Sequence, residues 1–174
     1  MGDAVDRIVA QWRTERPDID PSPMDVVGRI SRAARLLGEG LDEVFAEHGL
    51  QRGEFDILAT LRRAGAPYRL TPGGLVGSTM VTSGAITNRV DRLVAKGLVS
   101  RETDPNNRRS VLITLTEQGR ELVDAAVEDH VVNEQRLLAP LDASERGQLA
   151  DLLRRLLVGL GDVPDEPGGP SASR

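Results

Sequence analysis

"VTSGAITNRVDRLVAKGLVSRETDPNNRRSVLITLT", residues 81–116, decides the fold. Its first half has helical spacing. Ile86, Val90, Leu93 and Val94 fall on one side of a wheel turned 100° per residue. Thr82 or Ser83 is the expected N-cap and Gly97 the stop. Its second half changes period. Val111, Ile113 and Leu115 alternate, which predicts a strand over Val111–Thr116, paired with a strand over Leu98–Glu102. Pro105 and two asparagines turn the chain between them, followed by the pair Arg108 and Arg109.

Working outward, a helix starts near Arg52 and carries Phe55, Leu58, Ala59 and Leu61 before "AGAP" stops it. A short element follows "LTPGG", with Thr71 as cap, Pro72 in the first turn, and Leu75 and Val76 facing inward. Helix–helix–helix–strand–loop–strand between residues 50 and 116 is the order of a winged helix–turn–helix. The fold class is therefore mainly α with a small β-hairpin.

Longer helices flank this lobe. Met24 to about His48 has helical apolar spacing, with Ser22 as its cap. Thr116 caps a helix from Glu117 to about Leu138, marked by Leu122, Ala126 and Val131. Ser144 or Asp142 caps a last one reaching about Leu160, with leucines at 149, 153, 156 and 160. Ahead of them, residues 3–16 form a short amphipathic helix with Val5, Ile8, Val9 and Trp12 on one side. The organisation expected is an N-terminal extra helix over 1–20, a winged helix–turn–helix with long terminal helices over 24–160, its DNA-binding lobe about 50–116, and a disordered tail over 161–174.

Composition narrows the function classes. Aromatics are 2%, so the core must be aliphatic, and the absence of cysteine removes disulfides, thiolate metal sites and cysteine nucleophiles. No stretch approaches the ~20 apolar residues of a membrane span, and the charged N-terminus has no apolar signal core. A soluble, cytoplasmic protein without membrane contact is the expectation. No GxSxG, HExxH or Walker pattern is present, and His48 and His130 have no ligand-spaced neighbours. Neither an enzyme nor a metal or cofactor site is expected.

The net charge of -5 does not favour general attraction to an anion, so nucleic acid would need a local basic patch. Residues 82–110 supply one. Arg89, Arg92, Lys96, Arg101, Arg108 and Arg109 outweigh Asp91, Glu102 and Asp104, for a net +3. The wheel face opposite the apolar stripe holds Gly84, Asn88, Asp91, Arg92 and Ala95. In a winged helix–turn–helix this helix enters the major groove. Asn88 can pair with adenine there, and Arg92 with guanine or phosphate. Thr82, Ser83 and Thr87 lie within reach of phosphates. The hairpin tip reaches the neighbouring minor groove, whose narrow stretches attract arginine. Arg108 is the expected probe, and Arg109 either contacts DNA or braces the loop against Asp104. The bland alternative is a solvated helix face and hairpin end. A winged-helix adaptor that binds protein and not DNA is the rival function.

"DPNNRRSVLITLTEQG" resembles the wing motif of the MarR family of bacterial transcription regulators, D-x-x-D-R-R-x-x-x-V-x-L-T-x-x-G, and "VTSGAITNRVDRLVAKGLVSR" is similar to that family's reading helix and first wing strand. Asn107 stands where the family usually has aspartate, which weakens the brace on the wing arginines. The resemblance implies a homodimer of two winged-helix lobes on a pseudo-palindromic site in double-stranded DNA, acting as a repressor. The apolar faces of 24–45 and 145–160 exceed what one small lobe can cover, which is compatible with dimerisation helices.

The extra helix with Trp12 resembles the branch of that family with urate-responsive and PecS-like members. For that branch the resemblance implies an anion pocket of a tryptophan, an aspartate and two arginines, matched in type and order by Trp12, Asp56, Arg89 and Arg101. Arg89 also falls at the edge of the buried stripe, off the DNA face. Two arginines would take a small anionic effector such as urate or a carboxylate. Moving Arg89 would move the reading helix, so an effector that favours the DNA-incompetent shape would release the operator. The alternative is that these arginines make ordinary ion pairs and Trp12 only packs.

Overall fold

The computed structural model describes residues 2–78, 86–105 and 107–163. The chain divides into two compact units, Met1–Glu43 and Val44–Arg174.

The first unit holds α1 (Ala4–Glu15) and most of α2 (Ser22–Glu47). Asp3 caps α1 by accepting from the Val5 and Asp6 amides, and Asp6 returns the bond to the Asp3 amide. Of the four apolar residues expected on one side, Val5 and Val9 are buried, while Ile8 and Trp12 are about two-fifths exposed. Arg29 of α2 ties α1 down, bonding Asp3 at 2.9 Å and Asp6 at 2.6 Å. Ser22 does not cap α2, as the sequence suggests. It is the first helical residue, and the Asp20 carboxylate accepts from both its amide and its hydroxyl. An aspartate two residues upstream makes the shorter closing turn.

The second unit runs α3 (Arg52–Arg63), β1 (Arg69–Leu70), α4 (Pro72–Ser78), α5 (Ile86–Ala95), β2 (Val99–Asp104), β3 (Asn107–Leu115), α6 (Glu117–Leu137) and α7 (Ala143–Gly159). Thr71 caps α4 as expected, accepting from the Gly74 amide at 3.1 Å. The sheet has three antiparallel strands in the order β1-β3-β2, not a hairpin alone. β1 escapes the sequence because two residues show no period; Arg69 lies opposite Thr114 and Leu70 opposite Ile113. β3 also starts earlier than the apolar alternation, at Asn107, through a register shift that sets Asp104 opposite Asn107.

The core of this unit joins Phe45 from the last turns of α2 to Ile57, Leu58 and Leu61 of α3, Leu75 of α4, Val90 and Leu93 of α5, Ile113 of β3 and Val123 of α6. It is aliphatic except for the buried Glu54, Thr60 and Asn133 and one aromatic seam. Phe45 stacks on Phe55 with centroids 4.3 Å apart, and the His130 ring lies 5.2 Å from each. Val76 and Val94, expected inside, are 38% and 41% exposed. Each follows a fully buried leucine, and the next residue on a helix points 100° away.

The wing joins α6 by a close approach. Thr116 caps α6, accepting from the Gly119 amide at 3.0 Å. A methyl group on Gly119 would lie 2.0 Å from the Leu98 carbonyl oxygen, so this position admits no side chain. Asp142, and not Ser144, caps α7 by accepting from the Glu145 amide. No residue of α7 is buried. No described helix is long and apolar enough to cross a membrane.

Candidate nucleic-acid interface

α5 carries the candidate face. Ile86, Val90 and Leu93 anchor it in the core, and the same turns leave Thr87, Asn88, Asp91 and Arg92 exposed. Thr82 and Ser83 lie outside the described residues. Asn88 and Arg92 are four residues apart and share a face, as the wheel predicts.

Arg92 is not a free cation. Its Nε donates to Glu54 Oε1 at 3.1 Å and its Nη2 to Gln51 Oε1 at 3.2 Å. Lys96 reaches the same carboxylate, with Nζ 2.8 Å from Glu54 Oε2 and 2.9 Å from the Gly49 carbonyl oxygen. The Glu54 side chain is 1% exposed. Burial alone would push its carboxyl up. The Lys96 ammonium, the Gln51 amide and the Arg92 guanidinium outweigh that and hold it below the usual carboxylate value. Sequence reasoning missed this grip. The signals were present: Gln51 and Glu54 stand at capping-box spacing, Glu54 Oε2 accepts from the Gln51 amide, and Arg92 and Lys96 stand at i, i+4.

Arg89 takes the other edge of α5. It is half-buried, and its guanidinium crosses the first turn of α3. A methyl group on Gly53 would fall 2.5 Å from its Cζ and Nε. Nη1 is buried and has no hydrogen-bond partner among the described residues. Asp56 follows Gly53 by three residues, which places it on the same face of α3. Arg101 on β2 pairs with Asp91 of α5 at 2.9 Å. Trp12 belongs to the first unit, on α1.

The wing backbone is an antiparallel ribbon, with Arg101 opposite Ile113 and Thr103 opposite Val111. Arg108 and Arg109 lie in β3 itself, since the strand begins at Asn107. The roles expected of their side chains fall outside the described part of the structure. Among the described residues no group of three metal-ligating side chains comes together.

A helix seated in an aliphatic core, presenting small and polar residues beside a twisted ribbon, is a geometry that fits a DNA groove. Known proteins share it. The family model for the MarR family matches residues 48–110. The chain is 45% identical to the HTH-type transcriptional regulator PecS of Dickeya dadantii over 152 residues, which are 87% of this chain and 92% of PecS. The chain belongs to the MarR family of transcriptional regulators. Two solved structures are similar in fold. A mutant of Escherichia coli MarR complexed with operator DNA has a TM-score of 0.68 and 29% identity, covering 84% of this chain and 97% of that one. Bordetella bronchiseptica BpsR, whose DNA binding is regulated by 6-hydroxynicotinic acid, has a TM-score of 0.68 and 27% identity, covering 75% of this chain and 91% of that one.

Proposed function

We propose that this MarR-family chain is a homodimeric repressor that binds a pseudo-palindromic operator through α5 and the wing, and releases it when a small anion binds beside Arg89. The observation that carries the DNA half of this reading is the exposed Thr87–Asn88 face on a helix whose opposite side buries Ile86, Val90 and Leu93 in the core. E. coli MarR engages operator DNA on the same fold. Asn88 reads a base edge, Thr87 contacts phosphate, and Arg108 with Arg109 serve the wing.

The ligand half rests on Arg89. Arg89 Nη1, buried and without a partner among the described residues, carries a free-energy cost that an arriving anion would recover. The same cation lies across the N-terminal turn of α3, where the helix dipole favours negative charge. An anion there satisfies both. Asp56, on the same face of α3, is repelled by it, and that repulsion shifts α3 against α5. Arg101 pairs with Asp91, so we read the site as centred on Arg89, with Asp56 as the carboxylate that responds to the anion. BpsR responds to an aromatic carboxylic acid, a ligand of the class that two-point guanidinium binding suits.

The test is a duplex-binding titration against the DNA upstream of its own gene, at several salt concentrations, with and without urate, 6-hydroxynicotinate and small polycarboxylates. Affinity should fall steeply with salt, and one of the anions should weaken it further. Binding that is insensitive to salt would instead point to a protein-binding adaptor. Normal release of an Arg89→Ala variant by the effective anion would remove Arg89 from the ligand site.

A further inference from the structure

Glu54 is a costly residue to place where it is. A carboxylate with 1% of its side chain exposed loses its hydration, and only well-placed cations offset that. Here both cations come from one stretch of chain. Arg92 lies in the last turn of α5 and Lys96 one turn beyond, where the Lys96 amide still donates to the Arg92 carbonyl at 3.0 Å. Glu54 takes one on each oxygen, at 3.1 and 2.8 Å. Gln51 and the Gly49 carbonyl add second bonds to the same two side chains. The first turn of α3 and the residues just before it, Gly49 and Gln51, therefore hold the C-terminal end of α5 at four points. Two contacts one turn apart hold this face of α5 toward α3 against both rotation about the helix axis and tilt away from it. Asn88 lies on that face, one turn N-terminal to Arg92.

We propose that Glu54 is a positioning residue for operator recognition: by gripping Arg92 and Lys96 it fixes the rotation at which α5 presents Asn88 to the bases. This rests on the reading of α5 as the groove-entering helix. Arg92 and Lys96 stay 46% and 39% exposed, so the grip leaves part of each cation facing solvent. It also makes the expected sign of a substitution opposite to that of simple charge counting.

Glu54→Gln keeps the volume and removes one negative charge from behind two part-exposed cations, Arg92 and Lys96. Charge alone predicts tighter binding to every duplex and a steeper salt dependence. Positioning predicts weaker binding to the operator only. The experiment measures affinity for the duplex upstream of its own gene and for a scrambled duplex of the same composition, on full-length protein whose cooperative unfolding has been checked. Operator affinity should fall about tenfold while scrambled binding holds or rises. Lys96→Gln should lower the ratio of operator to scrambled binding in the same way, and the double variant should be no worse than the worse single one. If Glu54→Gln does not fold, Lys96→Gln, a change to a half-exposed side chain, carries the comparison alone. A ratio unchanged in the single variants, or losses that add, overturns the proposal. Asn88→Ala is run alongside. Should it leave base preference intact, the reading of α5 fails and the role of Glu54 with it. Should it relax base preference while Glu54→Gln does not, the failure belongs to Glu54 alone.

Discussion

Two glycines show how one missing methyl group can have different uses. At Gly119 the obstacle is the Leu98 carbonyl, backbone just before β2 that is held by the Thr116 amide and cannot retreat. At Gly53 the obstacle is the Arg89 guanidinium, the mobile end of a long side chain. Gly119 is the last position of the wing motif, though the motif gives no reason for it, whereas Gly53 carries no sequence signal of its own. Its meaning appears only when Arg89 is seen lying across it. Gly53→Ala should therefore keep or gain stability, by up to about 1 kcal/mol from the better helix former, because Arg89 can swing aside. The same swing would empty the proposed anion site. The expected outcome is an unchanged or raised melting temperature, intact operator binding and lost release by the effective anion. A full anion response in the Gly53→Ala variant would show that Arg89 need not lie against α3.

At the scale of elements, hydrophobic period set most of what the sequence revealed. The stripe Ile86, Val90, Leu93 is buried as the wheel predicts, and Thr71 and Thr116 cap the helices they were expected to cap. β1 and the first four residues of β3 were not legible, because neither has an apolar alternation and both are held by pairing to a strand distant in sequence or across a register shift. The clamp of α3 on α5 was hidden for a related reason. Arg92 reads as a DNA contact until its distance to a buried carboxylate is known. That clamp has a pH signature. Glu54 titrates below its ordinary value of about 4.3, so its stabilisation is complete above that value and is lost as pH falls through the lower folded value. The stability difference between the wild type and Glu54→Gln should be flat from neutral pH to about 5 and shrink below that. A difference that grew on acidification would mean the clamp does not hold Glu54 charged. The wing makes a separate prediction. Arg108→Ala should weaken operator binding by roughly 1–3 kcal/mol if the arginine enters the minor groove. If it touches phosphate alone, scrambled and operator duplexes should lose affinity equally and the salt slope should fall by about one.

At the scale of the whole molecule, the second unit carries apolar surface that its own core does not use. Leu149, Leu152, Leu156, Leu157 and Leu160 at α7 are each at least 41% exposed, and α6 adds Val127, Val131 and Val132. Helical spacing picked out Leu149, Leu153, Leu156 and Leu160 as a face too large for one small lobe to cover, and no residue of α7 is buried within the chain. Exposed apolar side chains in this number mark an interaction surface. In a regulator that reads a two-fold operator, a second copy is the occupant that also supplies the second half-site. The two functions are then coupled. Joining two lobes raises operator affinity by about 100-fold or more over one lobe, with no new contact at either α5. Leu156→Glu places a charge where two such faces would meet, and leaves the monomer's own core untouched because the position is already open to solvent. Sedimentation should show the wild type as a dimer whose melting temperature rises with protein concentration, and the variant as a folded monomer whose melting temperature does not. Operator affinity should fall by about two orders of magnitude while affinity for an isolated half-site is unchanged. A variant that remains a dimer with full operator affinity would move the dimer interface away from α7.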